Sequence, residues 1–274
     1  MSKLATNMAQ FSCPFCECKK SWIVRGKKRK CKECYREFGG NFYPVSGFRL
    51  TAHVWRKIIA IFLRERTEKR IAEEAELGLK TAQKVAHHLR RVMSAEIPEM
   101  FKGITEMDEA YIGGQRKNKK LHIRRIQGKR GHGTDKLPIV GLFSRESGKV
   151  FVHVEPKKLD IEYILKTIQE RVVLGSPVYT DGFKMYRSIP KIGYVHEFVD
   201  HAGGEYVRGD VHTNNIEGFW GIMKRKMSCI GGMRRDRLPF FVGEIVWKFN
   251  HRKESLKDQE RALLKLVLES KIGD

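Results

Sequence analysis

The chain has 274 residues, 41% of them hydrophobic, enough to fill one large domain with one or two small ones beside it and too many for a disordered polymer. It contains no apolar run of about 18 residues, which excludes a membrane-spanning helix; its first residues lack a signal-peptide pattern, so a cytoplasmic, nucleoid-associated protein is expected. Lys and Arg outnumber Asp and Glu by 54 to 32, and the net charge of +22 repels itself unless a polyanion is near, for which nucleic acid is the usual partner.

Cys13-Pro14-Phe15-Cys16 and Cys31-Lys32-Glu33-Cys34 are two Cys-x-x-Cys knuckles. Tetrahedral zinc takes four thiolates, and paired knuckles at this spacing make a zinc ribbon, so Cys13, Cys16, Cys31 and Cys34 are expected to hold one structural zinc ion. An intracellular setting argues against the alternative of two disulfides. Cys18 breaks the paired spacing. The basic tip between the knuckles, with Lys28 and Arg29, suits DNA phosphates, or is a solvated hairpin turn.

Residues 53–63 repeat apolar positions at helical spacing. Arg70 to Arg90 then reads as helix, turn at Gly78, and a second helix capped by Lys80 or Thr81, a helix-turn-helix in which Lys80, Gln83, Lys84 and His87 face a DNA groove. A plain helical hairpin has the same core pattern. Ile97-Pro98 marks a domain boundary.

From Gly103 the periodicity changes. Ile104–Ile112 reads as a strand, followed by a basic insert, Gln115–Lys136, with nine Lys or Arg and one Asp. Arg124 and Arg125 in it are expected to meet a phosphate backbone, a solvated hairpin being the alternative. Leu137–Phe143 and Lys149–Val154 form a hairpin, Leu159–Val173 an amphipathic helix, Pro177–Asp181 a strand, Tyr194–Val199 a fifth strand, and a new helix begins near His212. Two more helices fill Leu238–Ile272. This order is that of an α/β, ribonuclease-H-like mixed sheet. The expected domains are 1–48 zinc ribbon, 49–98 helix-turn-helix region, 99–236 catalytic domain and 237–274 C-terminal helices.

Three carboxylates then gain a common meaning. Asp108 lies in the first strand, Asp181 ends the fourth, and Glu217 sits in the first turn of the helix after His212. Clustered carboxylates cage magnesium or manganese, and two such ions cleave phosphodiesters. No P-loop points to nucleotide hydrolysis and no Gly-x-Ser-x-Gly elbow to a serine hydrolase. Each residue also has a structural alternative: Asp181-Gly182 as a turn, Asn214-x-x-Glu217 as a capping box, Lys224 as a solvated helix charge. Glu106 shares the Asp108 face of the strand, and Glu109 is its neighbour.

The segments Met107–Gly114, Val178–Gly182 and His212–Trp220, with Lys224-Arg225 and the later Lys248–Arg252, resemble the insertion sequence 1595 family of transposases over nearly the whole chain. The resemblance implies a zinc ribbon and helical DNA-binding region joined to an acidic-triad catalytic domain. It places Asp108 and Asp181 at the two Asp positions and Lys224 at the basic position. Glu217 is chosen for the third ligand position, which is acidic in some members of the family and Asn in others, with Asn215 or Asn214 as a contributing ligand. It implies a transposase that binds element ends and target as duplex DNA, acts as an oligomer, uses two Mg²⁺ or Mn²⁺ ions, and contacts DNA through Lys224 and Arg225, with His212 and Trp220 helping to position it. A structure-selective nuclease and a non-cutting zinc-dependent regulator are the alternatives.

Overall fold

The computed structural model describes residues 13, 15–16, 18–25, 28–39, 43, 45–113, 121, 136–154, 159–200, 203–205, 207–230 and 234–270. In chain order the strands are β1 Ser21–Ile23, β2 Arg29–Cys31, β3 Glu37–Phe38, β4 Thr105–Ile112, β5 Leu137–Ser144, β6 Val150–Val154, β7 Pro177–Asp181 and β8 Val195–Val199. The helices are α1 Ala52–Leu63, α2 Glu68–Glu74, α3 Leu79–Ala95, α4 Ile161–Arg171, α5 Asn214–Ser228, α6 Leu238–Asn250 and α7 Leu256–Glu269, with a 3-10 segment at Lys184–Ile192. Among the described residues no helix is long and apolar enough to cross a membrane. The chain forms two compact units, Met1–Val92 with Glu254–Asp274, and Met93–Lys253.

In the first unit β1, β2 and β3 make an antiparallel sheet. The helices start where Thr51 and Thr67 accept the amides of Val54 and Arg70, satisfying donors that a helix leaves open at its N-terminus. The cap expected at Lys80 or Thr81 falls instead at Gly78, whose carbonyl accepts from the amides of Thr81 and Ala82. Trp55, Ile58, Ile71, Val85, Leu89 and Leu263 are buried, so α1, α2, α3 and α7 bury apolar side chains.

The second unit holds a five-stranded sheet in the order β6-β5-β4-β7-β8. Its first strand lies in the middle, antiparallel to β5 and parallel to β7, with β8 parallel beyond. That order and direction are ribonuclease-H-like. One face carries Met107, Val140, Leu142 and Val178 against α4 and the 3-10 segment; the other carries Ala110, Ile139 and Val150 against α5 and α6. The parallel β4–β7 ladder pairs Thr105 with Val178 and Glu106 with Tyr179 and goes no further. The carboxyl ends of these strands are the usual ligand position of such sheets.

Candidate active site

Asp108 on β4 and Asp181 at the end of β7 meet, and Glu109 joins them: carboxylate oxygens of the three lie within 4.8 Å of one another. Asp108 Oδ1 accepts the Glu109 amide at 2.8 Å and its Oδ2 accepts the Trp220 indole N–H at 3.0 Å. Asp181 Oδ1 accepts the Phe183 amide at 3.1 Å, so the Asp-Gly turn and the outward carboxylate are one feature. Burial, then the charge of Asp181, pushes Asp108 from 3.8 up to about 7, and Glu217 adds a smaller push. Burial also raises Glu109 from 4.5 to about 7, against the pull of the Tyr186 hydroxyl and with the charges of Asp108 and Asp181 behind it. Like charges crowded out of water favour a cation or a proton; the oxygen-only donor set suits a hard cation.

Glu217 is exposed in the first turn of α5 and accepts the Thr213 hydroxyl at 2.7 Å. It is near enough to act on Asp108 electrostatically but is not one of the three oxygens within 4.8 Å. Lys224, two turns along α5, is exposed, as is Arg225.

A fourth carboxylate sets the position of α5. Glu106 is fully buried and accepts the amides of Asn215 and Ile216 at 2.9 and 3.1 Å, the Asn215 side-chain amide at 2.7 Å and Arg145 Nε at 2.7 Å. A carboxylate from β4 thus serves as the N-terminal cap of α5, where the helix dipole favours negative charge. The capping box expected within Asn214-x-x-Glu217 does not form: Thr213 precedes the helix without a side-chain cap bond, and Glu106 meets the free amides instead. Arg145 Nη1 donates to the carbonyl of Asp210, and Nη2 to the carbonyl and ring Nδ1 of His212, while the guanidinium stacks on Tyr179. Since a guanidinium only donates, His212 Nδ1 is the acceptor.

Of the two residues expected to position DNA, His212 is half-buried and Trp220 is buried. His212 is tied into the Arg145 cluster, and Trp220 is 3% exposed, its indole reaching under the helix to Asp108. Gly141 pairs with Asp108 across the sheet, and a Cβ there would stand 2.4 Å from the Trp220 ring, so the bare glycine is what lets the ring lie on the strand.

Residues 100–250 match the ISXO2-like transposase domain family. Over 94% of its length the chain is 30% identical to a protein of the transposable element ISH50 of Halobacterium salinarum, of which it spans 90%. The chain belongs to the insertion sequence 1595 family of transposases. A transposase-like protein of Haemophilus influenzae is 28% identical over 43% of this chain and 94% of its own length. Among solved structures, the HTLV-2 integrase catalytic core domain in complex with magnesium covers 54% of this chain and 85% of its own, at 14% identity and a TM-score of 0.31. The fold rests on the order and direction of its strands.

Elsewhere in this transposase, sulfur atoms of Cys13, Cys16, Cys31 and Cys34 lie within 4.8 Å of one another, with Cys13–Cys34 at 3.5 Å and Cys16–Cys31 at 3.4 Å. A zinc tetrahedron with ~2.3 Å bonds has sulfur–sulfur edges of about 3.8 Å, so the cluster fits the ion with a small expansion. Burial pushes the Cys13 thiol up to about 12; burial also pushes Cys31 up, but the amides of Cys34 and Glu33 outweigh it and bring that thiol down to about 6. Cys18 stands outside the group and exchanges hydrogen bonds with the backbone of Lys20. Of the residues expected to meet DNA, Lys80, Gln83 and Lys84 are exposed on one face of α3, and Lys28 is exposed at the β1–β2 turn. Arg29 is half-buried and donates to Ser21. Arg124 and Arg125 lie outside the described residues.

Glu106, Glu109 and Gly141 carry more of this site than sequence reasoning assigned them. Glycine inside an apolar strand is a readable sign of a close approach. The partners of Glu106 lie 39, 109 and 110 residues away, and no local pattern announces them.

Proposed function

We propose that the chain binds the ends of its insertion sequence as duplex DNA, cleaves them by metal-dependent phosphodiester hydrolysis and joins the freed 3′-hydroxyl to target DNA. The observation that carries this reading is the meeting of Asp108 and Asp181 at the end of the β4–β7 pair, their carboxylate oxygens within 4.8 Å of one another. Asp108, Asp181 and Glu217 would hold two Mg²⁺ or Mn²⁺ ions. When bound, such ions activate the attacking oxygen and stabilise the leaving one.

Within this reading Trp220 orients Asp108 and Glu106 fixes the helix that carries Glu217. Lys224 and Arg225, exposed further along that helix, contact phosphates of the bound strand. Lys80, Gln83 and Lys84 read the element end, Lys28 and Arg29 on the zinc ribbon grip its backbone, and Arg124 and Arg125 add phosphate contacts. Synapsis of two ends makes the working form a homo-oligomer on DNA.

The test is purified protein with Mg²⁺ and a labelled duplex carrying the element's own end. Cleavage followed by joining supports transposition. Cutting confined to branched junctions identifies a structure-selective nuclease, and binding without cutting a regulator. Asp181→Asn should lower end cleavage by about a thousandfold or more, the scale of losing metal-borne stabilisation of the transition state; full cleavage by that variant would sink the assignment.

A further inference from the structure

Two glutamates of β4 are withdrawn from water and are treated in opposite ways. Glu106 is surrounded by donors, as a structural carboxylate must be. Glu109 Oε1 is buried with no hydrogen-bond partner. The hydroxyl of Tyr186, in a side chain 0% exposed, lies close enough to Glu109 to pull on its charge but makes no hydrogen bond of normal geometry, and it faces the charges of Asp108 and Asp181. Alternation along a strand turns Glu109 away from the Asp108 face. The β4–β7 ladder stops at Glu106, and the Glu109 carboxylate nevertheless comes within 4.8 Å of those of Asp108 and Asp181.

Two buried oxygens that lack partners at the edge of a carboxylate cluster describe a place prepared for something else. We propose that Glu109 is a metal ligand of the DNA-free transposase, completing with Asp108 and Asp181 a three-carboxylate cradle for one divalent cation, with Tyr186 Oη hydrogen-bonding to Glu109 or to water held there. The proposal rests on the reading that Asp108 and Asp181 hold metal. Its chemistry is that of a hard cation met by oxygen from both faces of one strand, with a phenol as the outer partner that orients the ligand. Glu217, exposed and held by Thr213, is not needed for this first ion.

The experiment is Mn²⁺ titration of the full-length, DNA-free protein, followed by calorimetry and by the electron paramagnetic resonance of unbound Mn²⁺. Glu109→Gln should weaken binding by about tenfold or more, and Tyr186→Phe by less, as outer-shell partners do. Asp108→Asn should also weaken it, while an exposed control, Glu197→Gln, binds as wild type. Thermal melting adds a readout that a structural role would move the other way. Without metal, Glu109→Gln should melt later than wild type because a repelling charge is gone, and its melting temperature should no longer rise with Mn²⁺. Wild-type affinity in Glu109→Gln alongside loss in Asp108→Asn overturns the proposal and leaves the metal reading standing. A Glu109→Gln protein that fails to fold, or a wild type that binds no Mn²⁺ without DNA, also overturns it; end cleavage then judges the metal reading separately.

Discussion

The sulfur cluster and the carboxylate cluster are assembled in opposite ways. Cys13, Cys16, Cys31 and Cys34 lie in two short turns joined by one hairpin, so local spacing brings the four sulfurs together. Asp108 and Asp181 are brought together by the sheet: β4 and β7 must pair in parallel and then part. The first site lies in a stretch with little core of its own, where Phe38 is the buried companion of Cys13 and Cys31, so a zinc ion held there would help organise it. The second is built into a sheet covered on both faces, and its helix is held by Glu106, a carboxylate outside the cluster. A site can thus be supported by its metal or prepared for it.

Zinc removal presses hardest on that difference. Structural zinc contributes on the order of 10 kcal/mol to isolated zinc modules, so Cys31→Ser should release the ion and expose β1–β3 to protease while β4–β8 stay protected. Full protection of β1–β3 after proven zinc loss would erase the contrast. The carboxylate site should respond to packing instead. In Gly141→Ala the new methyl meets the Trp220 ring at 2.4 Å and Ile216 Cδ1 at 2.9 Å, and neither is a free chain end. Shifting α5 to make room should cost about 1–3 kcal/mol in thermal or urea unfolding. It should also remove the indole–Asp108 bond, lowering end cleavage beyond what the lost stability explains. Unchanged melting and cleavage would show that the ring is not seated as described.

The smallest effect is one of pH. Burial and the charge of Asp181 place Asp108 at about 7 rather than 3.8, so the folded protein keeps a proton that the unfolded chain releases. The stability from this group is full below about pH 4 and is lost as pH rises to about 7, with no further change above. Metal-free wild type should therefore fall in melting temperature relative to Asp108→Asn across that window. Parallel curves for the two proteins would remove Asp108 from the set of repelling groups.

Much of this molecule is legible in its sequence. The run from Ile104 to the Gly113-Gly114 stop marks the strand observed at Thr105–Ile112, and the run ending on Asp181 matches β7. The helix carrying Glu217 begins at Asn214, close to where its apolar stripe starts. What stays hidden depends on contacts distant in sequence. Periodicity says which face of a helix is apolar but not what covers it, so nothing in the pattern assigns α6 to one unit and α7 to the other. Strand alternation sends Asp108 and Glu109 to opposite faces, yet both carboxylates come within 4.8 Å of that of Asp181. Arg145 gives no signal because its partners are a buried carboxylate on β4 and the carbonyls of Asp210 and His212.

The bond from the Trp220 indole to Asp108 has an optical consequence. Indole emission follows the electric field along the ring, and here one end of the ring donates to the carboxylate that crowding makes most sensitive to charge. A cation, a proton or a phosphate arriving at Asp108 changes that field without any movement of α5. The transposase therefore carries a built-in fluorophore at its candidate active site, and one tryptophan retained among the four in the chain would let the site be followed in real time without a label.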